Sequence, residues 1–112
     1  MSLASKDIHQ SRIITVSAAR IDAAMAIQFK EDMRKLTGDA PDRVILDLTQ
    51  VDFVDSSGLG AIVSAMKTLR DEVRMDLAGL SPAVRKVFRL TRMDTVFRVF
   101  GTVDDAVRTQ AQ

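Results

Sequence analysis

The chain contains no cysteine, no tryptophan and no tyrosine. The first absence removes disulfides and thiolate chemistry, and suits a reducing compartment. Without tryptophan and tyrosine the chain lacks the interleaved aromatics on which nucleic-acid bases stack, so direct nucleic-acid binding is not expected. The only histidine is His9. It lies in an N-terminal segment expected to be mobile, which leaves a serine nucleophile without a base, and Gly-x-Ser-x-Gly is absent. Formal net charge is +1, so no global field favours nucleic acid or an acidic substrate. No apolar run is long enough to span a bilayer. The start, MSLASKDIHQSR, lacks the apolar centre of a secretory signal. These absences lead to the expectation of a soluble cytoplasmic protein, not inserted in a membrane and not an enzyme.

What is present is enough for one core. The chain has 112 residues, near the commonest domain size, and 46% of them are hydrophobic. Ile13, Ile14 and Val16 form a β-branched run with strand character. From Ile21 the period changes: Ile21, Met25, Phe29, Met33 and Leu36 recur at helical spacing, with charged residues between them. Gly38 is placed as the end of that helix and Asp39–Asp42 as a turn. Val44–Leu48 is a buried strand. A second helix begins near Ser56 or Ser57, with Leu59, Ile62, Val63, Met66 and Leu69 inward. Val73–Leu77 alternates as a strand. Ser81 followed by Pro82 is a helix start with proline at the first helical position, and Val84, Val87 and Phe88 form that helix's stripe. Val96–Val99 is a last strand and Thr102–Gln110 a last helix. The alternation argues for an α/β fold, a small mixed sheet with helices packed mainly on one face.

The segment VILDLTQVDFVDSSGLGAIV, residues 44–63, carries the most information. It runs from an apolar strand into Asp55-Ser56-Ser57-Gly58-Leu59-Gly60 and then into a helix. A helix start leaves backbone N–H groups unpaired and presents partial positive charge. Local chemistry alone favours a plain serine cap there. The alternative is a phosphorylatable serine whose added charge the helix start tolerates. Asp47, Asp52 and Asp55 match no calcium-loop spacing, so no metal site is assigned. Gly58-Leu59-Gly60 lacks the third glycine of a dinucleotide motif and the lysine of a P-loop. Arg85, Lys86, Arg89, Arg92 and Arg98 face one acid, Asp94, over residues 84–98. A solvated helix face is the favoured reading, and an acidic partner surface or a headgroup layer the functional one.

The Asp55-Ser56-Ser57-Gly58-Leu59-Gly60 segment, Val44–Leu48 before it, and Leu80-Ser81-Pro82-Ala83-Val84 with Phe88 beyond it resemble, in order and spacing, the STAS domain of bacterial anti-sigma factor antagonists. The resemblance covers nearly the whole chain. It implies a STAS domain over residues 8–110, preceded by a flexible segment over 1–7. It also implies that the residue directly after the aspartate, Ser56, is the phosphoacceptor, with Ser57 as the fallback. The implied partner is an anti-sigma factor with serine kinase activity. That partner binds the unphosphorylated chain and so releases a sigma factor, and phosphorylation by the partner's ATP ends the complex. The chain itself needs no cofactor, and is expected as a monomer or weak dimer. The alternative is a STAS interaction subunit of a lipid-transport complex or anion transporter.

The expected partner surface comprises Asp22, Asp55, Ser56, Ser57, Gly58, Gly60, Ala61 and Ser64. The small residues of the helix are placed off its apolar stripe, where a partner approaches closely. One departure from the family pattern concerns Ala19-Arg20-Ile21-Asp22, where many antagonists carry glycine in place of Ala19. That exchange bears on the tightness of the turn at this point.

Overall fold

The structure, a computed structural model, describes residues 3–109. Its elements run β1 (Leu3–Ile8), β2 (Ser11–Val16), β3 (Arg20–Ile21), α1 (Ala26–Thr37), β4 (Arg43–Asp47), β5 (Phe53–Val54), α2 (Ser56–Lys67), β6 (Arg74–Ala78) and α3 (Pro82–Leu90). A 3-10 turn (Met93–Thr95), β7 (Arg98–Phe100) and α4 (Val103–Arg108) complete it. The main sheet has the order β1-β2-β4-β6-β7. β1 and β2 are antiparallel, and β2, β4, β6 and β7 are parallel neighbours. β3 and β5 form a separate two-strand parallel pair.

The apolar run of β4 is buried on both sides, as expected of a central parallel strand. Val44 and Leu46 face the larger core with Ile14, Phe29, Met33, Ile62, Leu77, Val84 and Phe88. Ile45 faces a smaller cluster with Ile13, Ala78 and Ala106. Thus α1, α2 and α3 cover one face, and α4 alone covers the other.

Several boundaries differ from the sequence reading. Residues 3–7 belong to an edge strand and are not a loose segment, while residues 1 and 2 lie outside the described residues. The strand was invisible in the pattern because LASKDI buries little beyond parts of Leu3 and Ile8. Backbone pairing with β2 and an arginine clasp hold it instead. Arg12 Nε donates to Asp7 Oδ1 at 2.7 Å, and its Nη1 donates to Asp39 Oδ1 at 2.6 Å and to the Leu36 carbonyl at 3.0 Å. Helix α1 starts five residues after Ile21. Ile21 stays on the apolar stripe but gives its backbone to β5. Gly38 keeps a helical φ of −58°, so the chain turns without a left-handed cap. The last strand begins at Arg98 because a left-handed Arg92, φ 61°, and the 3-10 turn consume the residues before it. The last helix has Thr102 as its cap, its hydroxyl accepting from the Asp105 N–H, and ends at Arg108. Gln110 lies outside the described residues.

Asp76 stands in the middle of β6 and is fully buried. It is offset by Arg43, whose Nε donates to Asp76 Oδ2 at 2.7 Å. Arg43 Nη1 also donates to the carbonyls of Ala106 at 2.6 Å and Thr109 at 2.9 Å, and its guanidinium carbon lies 5.4 Å from the Phe100 ring centroid. One buried cation therefore fastens α4 to the sheet. Removing Arg43 leaves the fully buried Asp76 with only the longer contact from Arg74 Nε at 3.5 Å, a cost of up to about 3–5 kcal/mol, whereas an apolar replacement of both partners avoids most of it. Arg43→Met should lower unfolding free energy by about that amount in urea titration, and Arg43→Met/Asp76→Leu should recover most of the loss.

Arg12 also sets an acid-dependent contribution. Its hydrogen bonds hold the Asp7 and Asp39 carboxyls below their ordinary value of 3.8. A carboxyl lowered by folding contributes stability above its unfolded value and loses it as pH falls through the folded one. Wild type should therefore lose more stability than Asp7→Asn/Asp39→Asn as pH drops below 3.8, and thermal melts of both should converge in acid.

Candidate functional site

The site is built where β4 leaves the sheet. Asp47 closes the first turn, its Oδ1 accepting from the Thr49 N–H at 3.0 Å and the Thr49 hydroxyl at 2.6 Å. The chain then runs along β3. The N–H groups of Asp52 and Phe53 donate to the Ala19 carbonyl at 2.7 and 3.2 Å, and the Asp55 N–H reaches the Ile21 carbonyl at 3.4 Å. Ala19 is not among the residues of positive φ, so alanine occupies this turn without backbone strain.

Asp55 is the cap of α2. It is extended, and its Oδ1 accepts from the Gly58 N–H at 2.8 Å. Its Oδ2 accepts from the Ala23 N–H at 3.2 Å, so one carboxylate ties the start of α2 to the turn between β3 and α1. Gly58 completes the fastening. A Cβ there would lie 1.8 Å from the Ile21 carbonyl oxygen, so the helix backbone rests directly on β3.

This arrangement answers the question of the serines. The capping role belongs to Asp55, and Ser56 and Ser57 lie exposed in the first turn of α2. Neither hydroxyl makes a hydrogen bond among the described residues. The carboxylates of Asp47, Asp52 and Asp55 do not converge: Asp47 bonds Thr49 and Thr15, Asp55 bonds backbone amides, and Asp52 is exposed. His9 sits in the β1–β2 turn, at the end of β2 opposite the one where β4 departs toward Ser56.

The expected partner surface needs correction at two positions. Ala61 is 2% exposed and packs in the main core, and Gly58 is buried against β3. A pattern that counts only large apolar residues overlooks small ones that seat a helix closely on a sheet. Gly60 is exposed and Ser64 half-buried, and a Cβ at Gly60 would meet nothing within 4 Å. Asp22 is half-buried. Its Oδ2 accepts from Arg20 Nε at 3.2 Å, and Arg20 stacks over Phe53 at 4.4 Å from the ring centroid.

Two exposed apolar residues on elements that pack against α2 or lead into it were missed from sequence. Phe53 is 41% exposed on β5, and Ile27 is 79% exposed on α1. Ile27 lines a groove of about 210 Å³ between α1 and α2, with Arg34, Ser64 and Thr68. Its signal was present: Ile27 is a large apolar residue off the stripe of its own helix.

A STAS domain family model matches residues 4–106, and the chain belongs to that family. The match includes the edge strand that the sequence reading had left out. The chain is 30% identical over 100 residues to an anti-sigma-B factor antagonist of Listeria monocytogenes, covering 88% of each. It is 24% identical over 99 residues to the anti-sigma-F factor antagonist RsfB of Mycobacterium tuberculosis, covering 88% of this chain and 81% of that one. The crystal structure of an anti-sigma factor antagonist from Mycobacterium paratuberculosis superposes with a TM-score of 0.84 at 27% identity, covering 96% of this chain and 94% of that one.

The geometry assigns distinct costs to its parts. Gly58→Ala should destabilise by about 1–3 kcal/mol through overpacking against β3. Asp55→Ala should cost about 1–2 kcal/mol as a lost cap. Urea titration of the two variants and wild type checks both values.

Proposed function

We propose that this chain is an anti-sigma factor antagonist switched by phosphorylation of Ser56. The unphosphorylated form binds an anti-sigma factor that is also a serine kinase, and this frees a sigma factor. Transfer of phosphate to Ser56 then ends the complex. The observation that carries the reading is the exposed, uncommitted hydroxyl of Ser56 beside a cap already supplied by Asp55. The relatives' names support the anti-sigma factor partner, and the reading makes the chain a binding module rather than a catalyst.

The switch has a simple electrostatic basis. Phosphorylation adds about −1.5 to −2 charges. In the free protein the start of α2 tolerates them, because the helix dipole is positive there. In a complex the same charges lie beside Asp55, close in sequence to Asp52, and must be desolvated against a surface that fits a neutral hydroxyl. Affinity changes while the fold does not.

The binding surface in this reading comprises Ser56, Ser57, Gly60 and Ser64 on α2, with Ile27 across the groove and Asp22 and Phe53 at its edge. Asp55 shapes it from below. Gly58 and Ala61 contribute by letting α2 sit close to the sheet, not by touching the partner.

Incubation with the cognate kinase and ATP should label wild type and leave Ser56→Ala unlabelled. Label that persists in Ser56→Ala and disappears in Ser57→Ala would move the acceptor by one residue. Ser56→Asp should keep its circular dichroism spectrum and lose affinity for the kinase in calorimetry, and unchanged affinity would sink the switch.

Gly60→Arg separates binding from stability. Replacing an exposed helical glycine should stabilise α2 by up to about 1 kcal/mol. The long charged side chain should nevertheless hold the partner away. A more stable protein with wild-type affinity would remove the exposed face of α2 from the interface.

A further inference from the structure

The cations of the third helix form a surface that the Ser56 switch does not use. Arg85, Lys86 and Arg89 are exposed on α3, and Arg92 is exposed just beyond its end. None of them makes an ion pair among the described residues. Arg12, Arg20, Arg34, Arg43, Arg70, Arg74 and Arg108 each pair with a carboxylate. Among the described residues, arginines without an ion pair are thus confined to one region, the α3 end and the adjoining Arg98, which rests on the Phe100 ring.

Three further observations mark this face. Arg85 and Arg89 are one helical turn apart on the exposed flank of α3 beside the buried Val84 and Phe88, and Arg92 lies just past the helix end. Arg92 holds a left-handed backbone with φ 61°, a conformation that favours glycine and costs an arginine about 1–2 kcal/mol. Between the end of α3 and the 3-10 turn lies an open depression of about 460 Å³, lined by Arg89, Leu90, Arg92, Asp94 and Thr95. Leu90 is 70% exposed and Val96 47%.

We infer that this face docks an acidic segment of a protein partner, independently of the Ser56 surface. Arginine suits carboxylates because its planar fork makes two parallel hydrogen bonds. Arg85 and Arg89 are separated along the axis by about 6 Å, the spacing of acidic residues four apart on a helix. It is also close to the spacing of alternate residues on an extended strand, about 6.6 Å. The depression receives side chains, and Leu90 and Val96 offer a small apolar contact beside it. A flat anionic bilayer fits less well. The surface is concave there, and the chain has no tryptophan or tyrosine to settle in a headgroup layer.

The test uses a fluorescein-labelled helical peptide with glutamate at every fourth position, its glutamine counterpart, and vesicles of phosphatidylcholine with phosphatidylserine. In low salt, wild type should bind the glutamate peptide in fluorescence anisotropy and not the glutamine one. Arg85→Glu/Arg89→Glu/Arg92→Glu should weaken binding about tenfold or more, the combined loss of several exposed ion pairs. The charge-matched Lys30→Glu/Lys35→Glu/Lys67→Glu should retain it. Arg92→Gly guards against misfolding: it relieves the left-handed backbone, so its melting temperature should rise while peptide affinity falls. Ser56→Asp should bind the peptide as wild type does, which separates this surface from the switch. The proposal is overturned if the glutamate peptide does not bind, if the lysine control weakens it as much as the arginine reversal, or if Arg92→Gly gains stability without losing affinity. Capture by the vesicles alone, abolished by the arginine reversal, would overturn it in favour of a lipid face.

Discussion

The Asp55 carboxylate holds together the end of the molecule that carries Ser56. One oxygen accepts from the Gly58 amide three residues on, within its own helix start, and the other from the Ala23 amide 32 residues back. Because both oxygens are taken by backbone, the carboxylate cannot swing away without breaking the cap and the loop contact together. Its presence at the cap also decides what the serines do. A serine that caps a helix has its oxygen directed at backbone, whereas a serine one position further in keeps its hydroxyl outward. Moving the acid by a single residue would reverse those roles.

The rest of the fold separates rigid support from chemistry. Parallel strands β2, β4 and β6 carry an uninterrupted apolar layer toward α1, α2 and α3, and the loops that follow β4 and β6 emerge at one end. On the reverse face a much thinner layer is closed by α4 and by the Arg43–Asp76 pair. Such a pair adds little net stability over apolar packing, but it accepts only one seating of α4, because Arg43 also reaches two carbonyls at that helix's end. Specific attachment, more than buried area, keeps the short last helix in place.

The sequence displayed those parts of the fold that rest on large apolar side chains or on local chemistry. Val44–Leu46, the stripes of α1 and α3, and the Ser81-Pro82 start are of this kind, and so is the strand-to-helix junction at Ser56. What it hid depends on contacts between distant backbones. β1 is held by pairing and by Arg12, neither of which leaves a periodic pattern. Ile21 satisfies a helical period while serving as a strand. Ala61 and Gly58 are buried because of how near α2 lies to β3, and proximity of that sort has no signature in one segment alone. Ile27 was legible in principle, since it is apolar on the polar side of its helix.

The parallel pairing of β3 with β5 has a consequence for biosynthesis. Arg20 and Ile21 must meet Phe53 and Val54 across 33 residues, and the Ala23 amide must meet Asp55 across 32. Closing that span carries an entropic cost which local helix formation does not repay. The Ser56 loop therefore takes its shape only after the first third of the chain has returned to meet the middle. A nascent or partly unfolded chain carries the serine without its setting, so under the proposed switch a kinase that recognises the setting is confined to finished molecules.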